Sequence, residues 1–254
     1  MNIEGHSAVV TGGGSGMGAE TARRLAAAGA RVAVLDLDDA AANAVGADIG
    51  GLGLACDVSD AAGVEDAIAR ARDAHGPARI CVACAGIGPA QRIVGRNGPA
   101  PLDEFRKVVE VNLIGTFNVM RVCAADMAGL DPVNDTGERG VMIATASVAA
   151  YEGQVGQAAY AASKGGLVGM TLPLARDLAS LGVRVMTIAP GLMDTPMLAG
   201  LSADVRDRLA ASVPFPRRLG EPGEFSDLVE HIVANPMLNG SVIRLDGAIR
   251  LQPR

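Results

Sequence analysis

Thr11-Gly12-Gly13-Gly14-Ser15-Gly16-Met17-Gly18 separates two different hydrophobic periods. Before it, Ser7-Ala8-Val9-Val10-Thr11 is a short apolar run suited to a buried parallel strand. After it, Ala19 to Ala28 is alanine-rich and helical, and Gly29 ends the helix in the usual glycine C-cap manner. The next strand, Arg31 to Leu35, ends in Asp36. Strand, glycine turn, helix, strand and acid follow one another in a dinucleotide-binding βαβ unit. The glycines allow a tight turn and a close approach of backbone to pyrophosphate, and the helix N-terminus offers N–H groups to the phosphates. Gly12, Ser15, Gly16, Met17 and Gly18 are therefore the expected contacts of the turn. Asp36 is placed to accept both ribose hydroxyls of an adenosine. Its charge repels an extra 2′-phosphate, so the pattern points to NAD rather than NADP.

The alternation continues to the end of the chain. Helices are expected over Asp39–Ala47, Asp60–Ala74, Leu102–Met127, Gln157–Ser180, Leu198–Ser212 and Pro222–Ala234. Strands are expected over Leu52–Cys56, Arg79–Ala83, Val141–Ala146, Val183–Ile188 and Ser241–Leu245. No linker divides this series. It predicts one domain over residues 1–254, a Rossmann-type doubly wound α/β fold. Its seven-stranded parallel sheet carries helices on both faces. Residues 87–101 form a long turn-rich loop, and 192–215 a lid over the carboxyl ends of the strands.

Composition narrows the function classes. With 49% apolar residues the chain can bury a large core, and a net charge of −6 argues against a nucleic-acid surface. No uninterrupted apolar run approaches the ~20 residues that span a bilayer. The start reads directly into a strand, so a cytoplasmic location is expected. Cys81 and Cys84 lie three apart on an apolar run and point to opposite faces, with no second pair to complete a metal site. His6, His75 and His231 are isolated and expected to face solvent; no metal is expected.

Tyr160-Ala161-Ala162-Ser163-Lys164 carries the candidate chemistry. Residues four apart share a helix face, so an ammonium lies near a phenol and should favour the phenolate. A phenol so tuned exchanges a proton with an alcohol near neutral pH. The chain has two tyrosines, and two lysines among its 22 basic residues, yet spends one of each here. The spacing alone also suits a half-exposed tyrosine beside a solvated lysine. Ser147, at the end of a strand, reads equally as a turn residue or cap. Asp57 reads as a turn or capping acid, with Ser59 and Asp60 as competing caps. Thr195 before Pro196 reads as a helix N-cap.

The Thr-Gly-x-x-x-Gly-x-Gly spacing, with Ser147 thirteen residues before Tyr160 and Lys164 four after it, resembles the short-chain dehydrogenase/reductase family. The resemblance covers Ser7 to the C-terminus. It implies a catalytic set of Asn112, Ser147, Tyr160 and Lys164, with Asn112 distorting its helix and holding a water in a proton relay. It further implies Asp57 and Val58 at adenine, Cys84 and Gly86 at the cofactor ribose, and Pro190, Met193 and Thr195 at nicotinamide. Ser147, Gln154, Gln157 and Tyr160 would face the substrate. Ala83-Cys84-Ala85-Gly86 departs from the family's usual Asn-Asn-Ala-Gly, so the central sheet must be braced differently. Ala146 to Tyr160, Gly169 to Pro173, Val213 to Pro216 and Arg244 to Arg250 resemble one branch in particular. That branch implies an NAD-dependent homotetramer oxidising 3-hydroxyacyl-CoA to 3-ketoacyl-CoA. The alternatives are oxidoreduction of 3-ketoacyl thioesters, hydroxysteroids or small alcohols. A branch member also serves in tRNA processing, so a mainly non-catalytic scaffold is the alternative of a different class.

Overall fold

A computed structural model of the chain describes residues 1–96 and 98–253. Parallel strands β1 (Ser7–Thr11), β2 (Arg31–Asp36), β3 (Leu52–Ala55), β4 (Ala78–Ala83), β7 (Gly140–Thr145), β8 (Val183–Pro190) and β9 (Val242–Leu245) form a seven-stranded sheet. A small antiparallel pair, β5 (Val94–Gly95) and β6 (Gly98–Pro99), lies within the long loop. The large sheet has the order β3-β2-β1-β4-β7-β8-β9, so the winding reverses between β1 and β4. That reversal opens a crevice at the carboxyl ends of the strands, where doubly wound sheets bind ligands.

Both faces of the sheet are covered. Helices α1 (Gly16–Ala27), α2 (Asp39–Asp48) and α9 (Pro222–Ala234) bury Ala22, Leu25, Val45, Phe225 and Val229 against Val10, Val34, Val82 and Ile143. On the other face, α3 (Ala61–His75) and α5 (Thr116–Ala128) bury Ile68, Val119, Cys123 and Met127 against Val9, Leu35, Cys81 and Met142. The central strands are apolar on both sides because both sides are buried. Cys81 and Cys84 pack into opposite layers, as their spacing requires. His75 departs from the expected solvent-facing role. Its Nε2 is buried, because α3 delivers it inward at its last turn.

The expected Leu102–Met127 helix runs to Ala128 but is not uniformly α. After α4 (Leu102–Val109) the backbone widens to a π-helix over Glu110–Gly115, then returns to α5. The run has the length and composition of a membrane span, yet half of its most apolar window is buried within the fold. The expected Gln157–Ser180 helix is α6 (Ala158–Asp177), which continues through Pro173 and ends in a 3-10 turn over Ala179–Leu181. The expected lid helix is split into α7 (Pro196–Ala199) and α8 (Ala203–Ser212). Helix α8 buries none of its residues, and Arg206 holds it to Asp194 by an ion pair of 2.6 Å.

Candidate active site

The glycine turn after β1 lies against the turn after β4. Gly12 has φ +62°, and a β-carbon there would sit 2.7 Å from the Ala85 nitrogen. At Gly18 a β-carbon would meet the Gly12 carbonyl oxygen at 2.1 Å, so the helix enters on top of the turn. Ser15 occupies the N-cap of α1, but its hydroxyl caps nothing. The first N–H groups of the helix therefore remain available to a phosphate. Met17 packs partly buried on the core beneath. Across the crevice, Thr195 and Pro196 face Gly16: Pro196 Cδ and Thr195 Cβ lie 3.3 and 3.4 Å from where its β-carbon would be.

Asp36 is held at the lip of this turn. Its Oδ2 accepts from the Gly14 N–H at 2.9 Å and its Oδ1 from the Asp38 N–H at 3.0 Å. Asp57 accepts from the N–H and hydroxyl of Ser59 through the same Oδ1, and Asp60 caps α3 through the Ala62 N–H. Asp57 is thus the turn acid and remains exposed, with its other carboxylate oxygen outside that turn. Val58 is buried against Gly115. Pro190 closes β8, and Thr195 sits at the N-cap of α7 without using its side chain there. Met193 is buried, its sulfur pressed against Gly220, so only its backbone faces the crevice. These residues lie along the crevice at the carboxyl ends of the strands, with the Asp36 acid on one side of the glycine turn and the uncapped α1 N–H groups beside it.

Without the asparagines usual after β4, the sheet is braced by threonines. Cys84 N–H donates to the Thr11 carbonyl at 3.1 Å, and the Thr145 hydroxyl donates to Cys84 Sγ at 3.4 Å. Burial pushes the Cys84 thiol up to about 11, so it stays a neutral packing group. The open side of Gly86 faces Asn112 Oδ1 and Lys164 Nζ, at 3.2 and 3.4 Å from where a β-carbon would sit.

The four candidate catalytic residues converge. Asn112, fully buried in the π-helix, accepts from the Ile87 N–H at 2.8 Å and donates to the Ile87 carbonyl at 2.9 Å. Its Nδ2 also donates to Ser163 Oγ at 3.1 Å, and Ser163 in turn donates to the Tyr160 carbonyl at 2.8 Å. Lys164 is buried and donates from Nζ to the Thr145 carbonyl at 2.7 Å. Ser147 lies beside the Tyr160 phenol, whose pKa it pulls down, and its hydroxyl accepts from the Ala149 N–H at 3.1 Å, so it is a cap and a neighbour of the phenol at once.

Two expectations need correction. Lys164 does not depress the Tyr160 phenol in the protein alone. Burial pushes the phenol above its ordinary value, opposed by the Ser147 hydrogen bond. The lysine nitrogen is committed to Thr145 and sits 5.7 Å from the ring centroid. Burial also brings its own pKa down to about 8, against a small opposing effect of Cys84. Gln154, in turn, is drawn away from the substrate side: its amide donates to the Gln252 carbonyl at 2.8 Å. Gln157 accepts from the Gln154 N–H at 3.0 Å through its amide oxygen, which leaves the amide nitrogen for a ligand.

Two contributors, Thr145 and Met197, carry no clear signal in the sequence, and Ser163, which reads there as a packing or cofactor-contact residue, has a bridging role. Thr145 holds both Lys164 and Cys84; its one signal is a polar residue in an apolar strand. Ser163 links Asn112 to the catalytic turn. Met197 of the lid and the Tyr160 ring both flank Gly88, each with an atom 3.5 Å from where its β-carbon would be.

Residues 6–206 match the family model described as short chain dehydrogenase. The chain belongs to the short-chain dehydrogenase family. It is 50% identical over 256 residues to human 3-hydroxyacyl-CoA dehydrogenase type-2, covering 99% of this chain and 98% of that protein. The Drosophila melanogaster protein of the same name is 48% identical over 255 residues, covering 99% of this chain and 100% of the fly protein. The crystal structure of 3-hydroxyacyl-CoA dehydrogenase type-2 from Mycobacterium avium superposes with a TM-score of 0.94 at 44% identity, covering 98% of each chain. Membership makes the protein an oxidoreductase that interconverts an alcohol and a ketone with a nicotinamide dinucleotide. The crevice described above has the donors and the acid that such a dinucleotide requires.

Proposed function

We propose that the protein is an NAD-dependent 3-hydroxyacyl-CoA dehydrogenase. Tyr160 beside Ser147 and beside buried Lys164, which is anchored to the Thr145 carbonyl at 2.7 Å, carries the reading of the reaction. The names of relatives near 50% identity support the thioester substrate. The Asp36 carboxylate beside the Gly14 N–H supports NAD over NADP.

Gly12 to Gly18 and the α1 N-terminus would hold the pyrophosphate, Asp36 the adenosine ribose, and Asp57 and Val58 the adenine. Cys84, Gly86, Tyr160 and Lys164 would line the second ribose; Pro190, Thr195 and the Met193 backbone would orient the nicotinamide. When bound, the dinucleotide supplies the hydride acceptor. Ser147 would hold the substrate hydroxyl oxygen, and Tyr160, reacting as the phenolate, would take its proton at Oη. Lys164 supplies positive charge on the ribose side, anchored by Thr145. The Asn112 side chain is committed to Ile87 and Ser163 and its backbone carbonyl accepts from the Thr116 hydroxyl at 2.8 Å, so it acts as the brace of this turn. A homotetramer and a cytoplasmic location complete the proposal, the first on the branch resemblance and the second on sequence alone.

A panel of 3-hydroxyacyl-CoA esters, hydroxysteroids and small secondary alcohols, each with NAD and with NADP, tests this. The highest kcat/KM is expected for a 3-hydroxyacyl-CoA with NAD. A preference for NADP, or for a steroid over every thioester, overturns it.

A further inference from the structure

The segment between the two proton-handling residues, 151–157, has little regular structure of its own after the 3-10 turn Val148–Ala150. It is held from outside by the far end of the chain. Arg244 on β9 donates from Nη1 to Glu152 Oε1 at 2.9 Å and from Nη2 to Oε2 at 3.0 Å. The same guanidinium donates from Nε to Asp246 Oδ2 at 2.7 Å and from Nη2 to the Ile249 carbonyl at 3.1 Å. Arg250 completes the cluster, with Asp246 at 3.2 Å and Glu152 at 3.4 Å. A bidentate arginine–carboxylate pair fixes direction as well as distance. Ile249 is buried and anchors the turn that follows β9.

From that anchor the tail runs along the segment. The Leu251 backbone bonds Glu152, the Gln252 carbonyl accepts from Gln154 Nε2 at 2.8 Å, and the Pro253 carbonyl accepts from the Val155 N–H at 3.0 Å. The segment passes the restraint on, since the Gly156 carbonyl accepts from the Gln91 N–H of the 87–101 loop at 2.8 Å. On its other side β9 is tied to the nicotinamide end of the crevice through the Gly191 N–H and the Leu245 carbonyl, at 2.9 Å.

We propose that residues 249–253, clamped by the Arg244–Glu152 pair, form a strap that positions the 151–157 segment, with Gln157, and the 87–101 loop for the acyl substrate. Glu152, Arg244 and the tail carbonyls are positioning groups; none touches the reacting atoms. The assignment to the acyl substrate rests on the function proposed above.

The test compares the full chain with one ending at Leu251, which removes both acceptor carbonyls and keeps the ion pair, and with Glu152→Gln. Steady-state kinetics, NAD dissociation constant, subunit association and amide hydrogen exchange of the NAD complex are measured for each. Loss of two hydrogen bonds is expected to raise the acyl-substrate KM about tenfold. The expected pattern also has kcat changed less, the NAD dissociation constant unchanged, and faster exchange confined to 151–157 and the 87–101 loop. An unchanged KM with unchanged exchange in the shortened chain overturns the strap. So does a rise in the NAD dissociation constant in parallel with KM, which marks general loosening. If the unaltered protein turns over no 3-hydroxyacyl-CoA, the proposed function fails, and the exchange contrast still decides whether the strap orders the segment.

Discussion

Asn112 holds both backbone groups of Ile87, accepting from its N–H and donating to its carbonyl. One amide side chain thereby stands in for a neighbouring strand. It fixes the chain as it leaves β4. Asn112→Leu leaves both Ile87 groups unpaired, and a buried unsatisfied group costs about 1–3 kcal/mol. The variant is expected to melt several degrees lower and to lose most turnover. Unchanged thermal stability by calorimetry would refute the bracing role.

Tyr160→Phe retains the ring packing and removes the proton acceptor. General acid–base groups contribute about 10²–10⁴-fold, so a loss of at least that size is expected in kcat. NAD binding, followed by isothermal titration calorimetry, is expected to persist. Turnover within tenfold of the unaltered enzyme sinks the assignment.

Burial raises the Tyr160 pKa in the protein alone, so its phenolate forms later than that of a free tyrosine as pH rises. A difference ultraviolet titration, unaltered protein minus Tyr160→Phe, both without dinucleotide, is expected to show this ionisation above pH 10. Ionisation near neutrality in that state contradicts the burial argument and restores direct tuning by Lys164.

Lys164 has its pKa brought down to about 8 from an ordinary 10.5, chiefly by burial. A group depressed in the fold contributes stability above its unfolded pKa and loses it as pH falls. The ammonium therefore costs stability at neutral pH, on the order of 3 kcal/mol before its bond to Thr145 is counted. Lys164→Met is expected to be inactive and at least as stable as the parent at pH 7. A clear fall in melting temperature runs against this.

Asp36→Asn keeps an acceptor for the Gly14 N–H while removing the charge that repels a 2′-phosphate. The NAD:NADP ratio of kcat/KM is expected to fall at least tenfold, roughly the effect of one unfavourable charge contact. A ratio that stays fixed assigns the selectivity elsewhere.

Glu224 is held down at about 2 by the Arg218 side chain first and by the Glu221 N–H second. Its contribution is complete above the ordinary carboxylate pKa and disappears as pH falls from about 4.5 toward 2. Glu224→Gln is expected to melt lower than the parent at pH 7, with the two curves drawing together below about pH 4.5 and meeting as the pH approaches 2. A gap independent of pH excludes the ion pair as its source.

The β1–α1–β2 unit and its acid were legible because apolar period, glycine spacing and strand-end position are local properties of sequence. The four candidate catalytic residues were legible only as a spaced set, and through family resemblance. What escaped depended on distant partners. Asn112 meets Ser163 across 51 residues, and Gln154 turns toward a carbonyl 98 residues away. Nothing near either position announces such a partner. The Tyr160 shift was misjudged for a related reason: the four-residue spacing shows that an ammonium is near, while burial depends on the whole fold. The π-helix was legible as a distortion at Asn112, but its extent from Glu110 to Gly115 was not.

The burial of Lys164 leaves the protein with a single solvent-exposed lysine. Of the two in the chain, Lys107 alone is exposed, on α4 at the foot of the 87–101 loop. The Met1 amine is also enclosed, held by Glu138 at 3.2 Å and the Val233 carbonyl at 3.0 Å. An amine-directed dye or surface linker is thus steered to one address without any engineering. A protein that has traded nearly all its lysine for arginine becomes, for conjugation chemistry, a one-handled reagent.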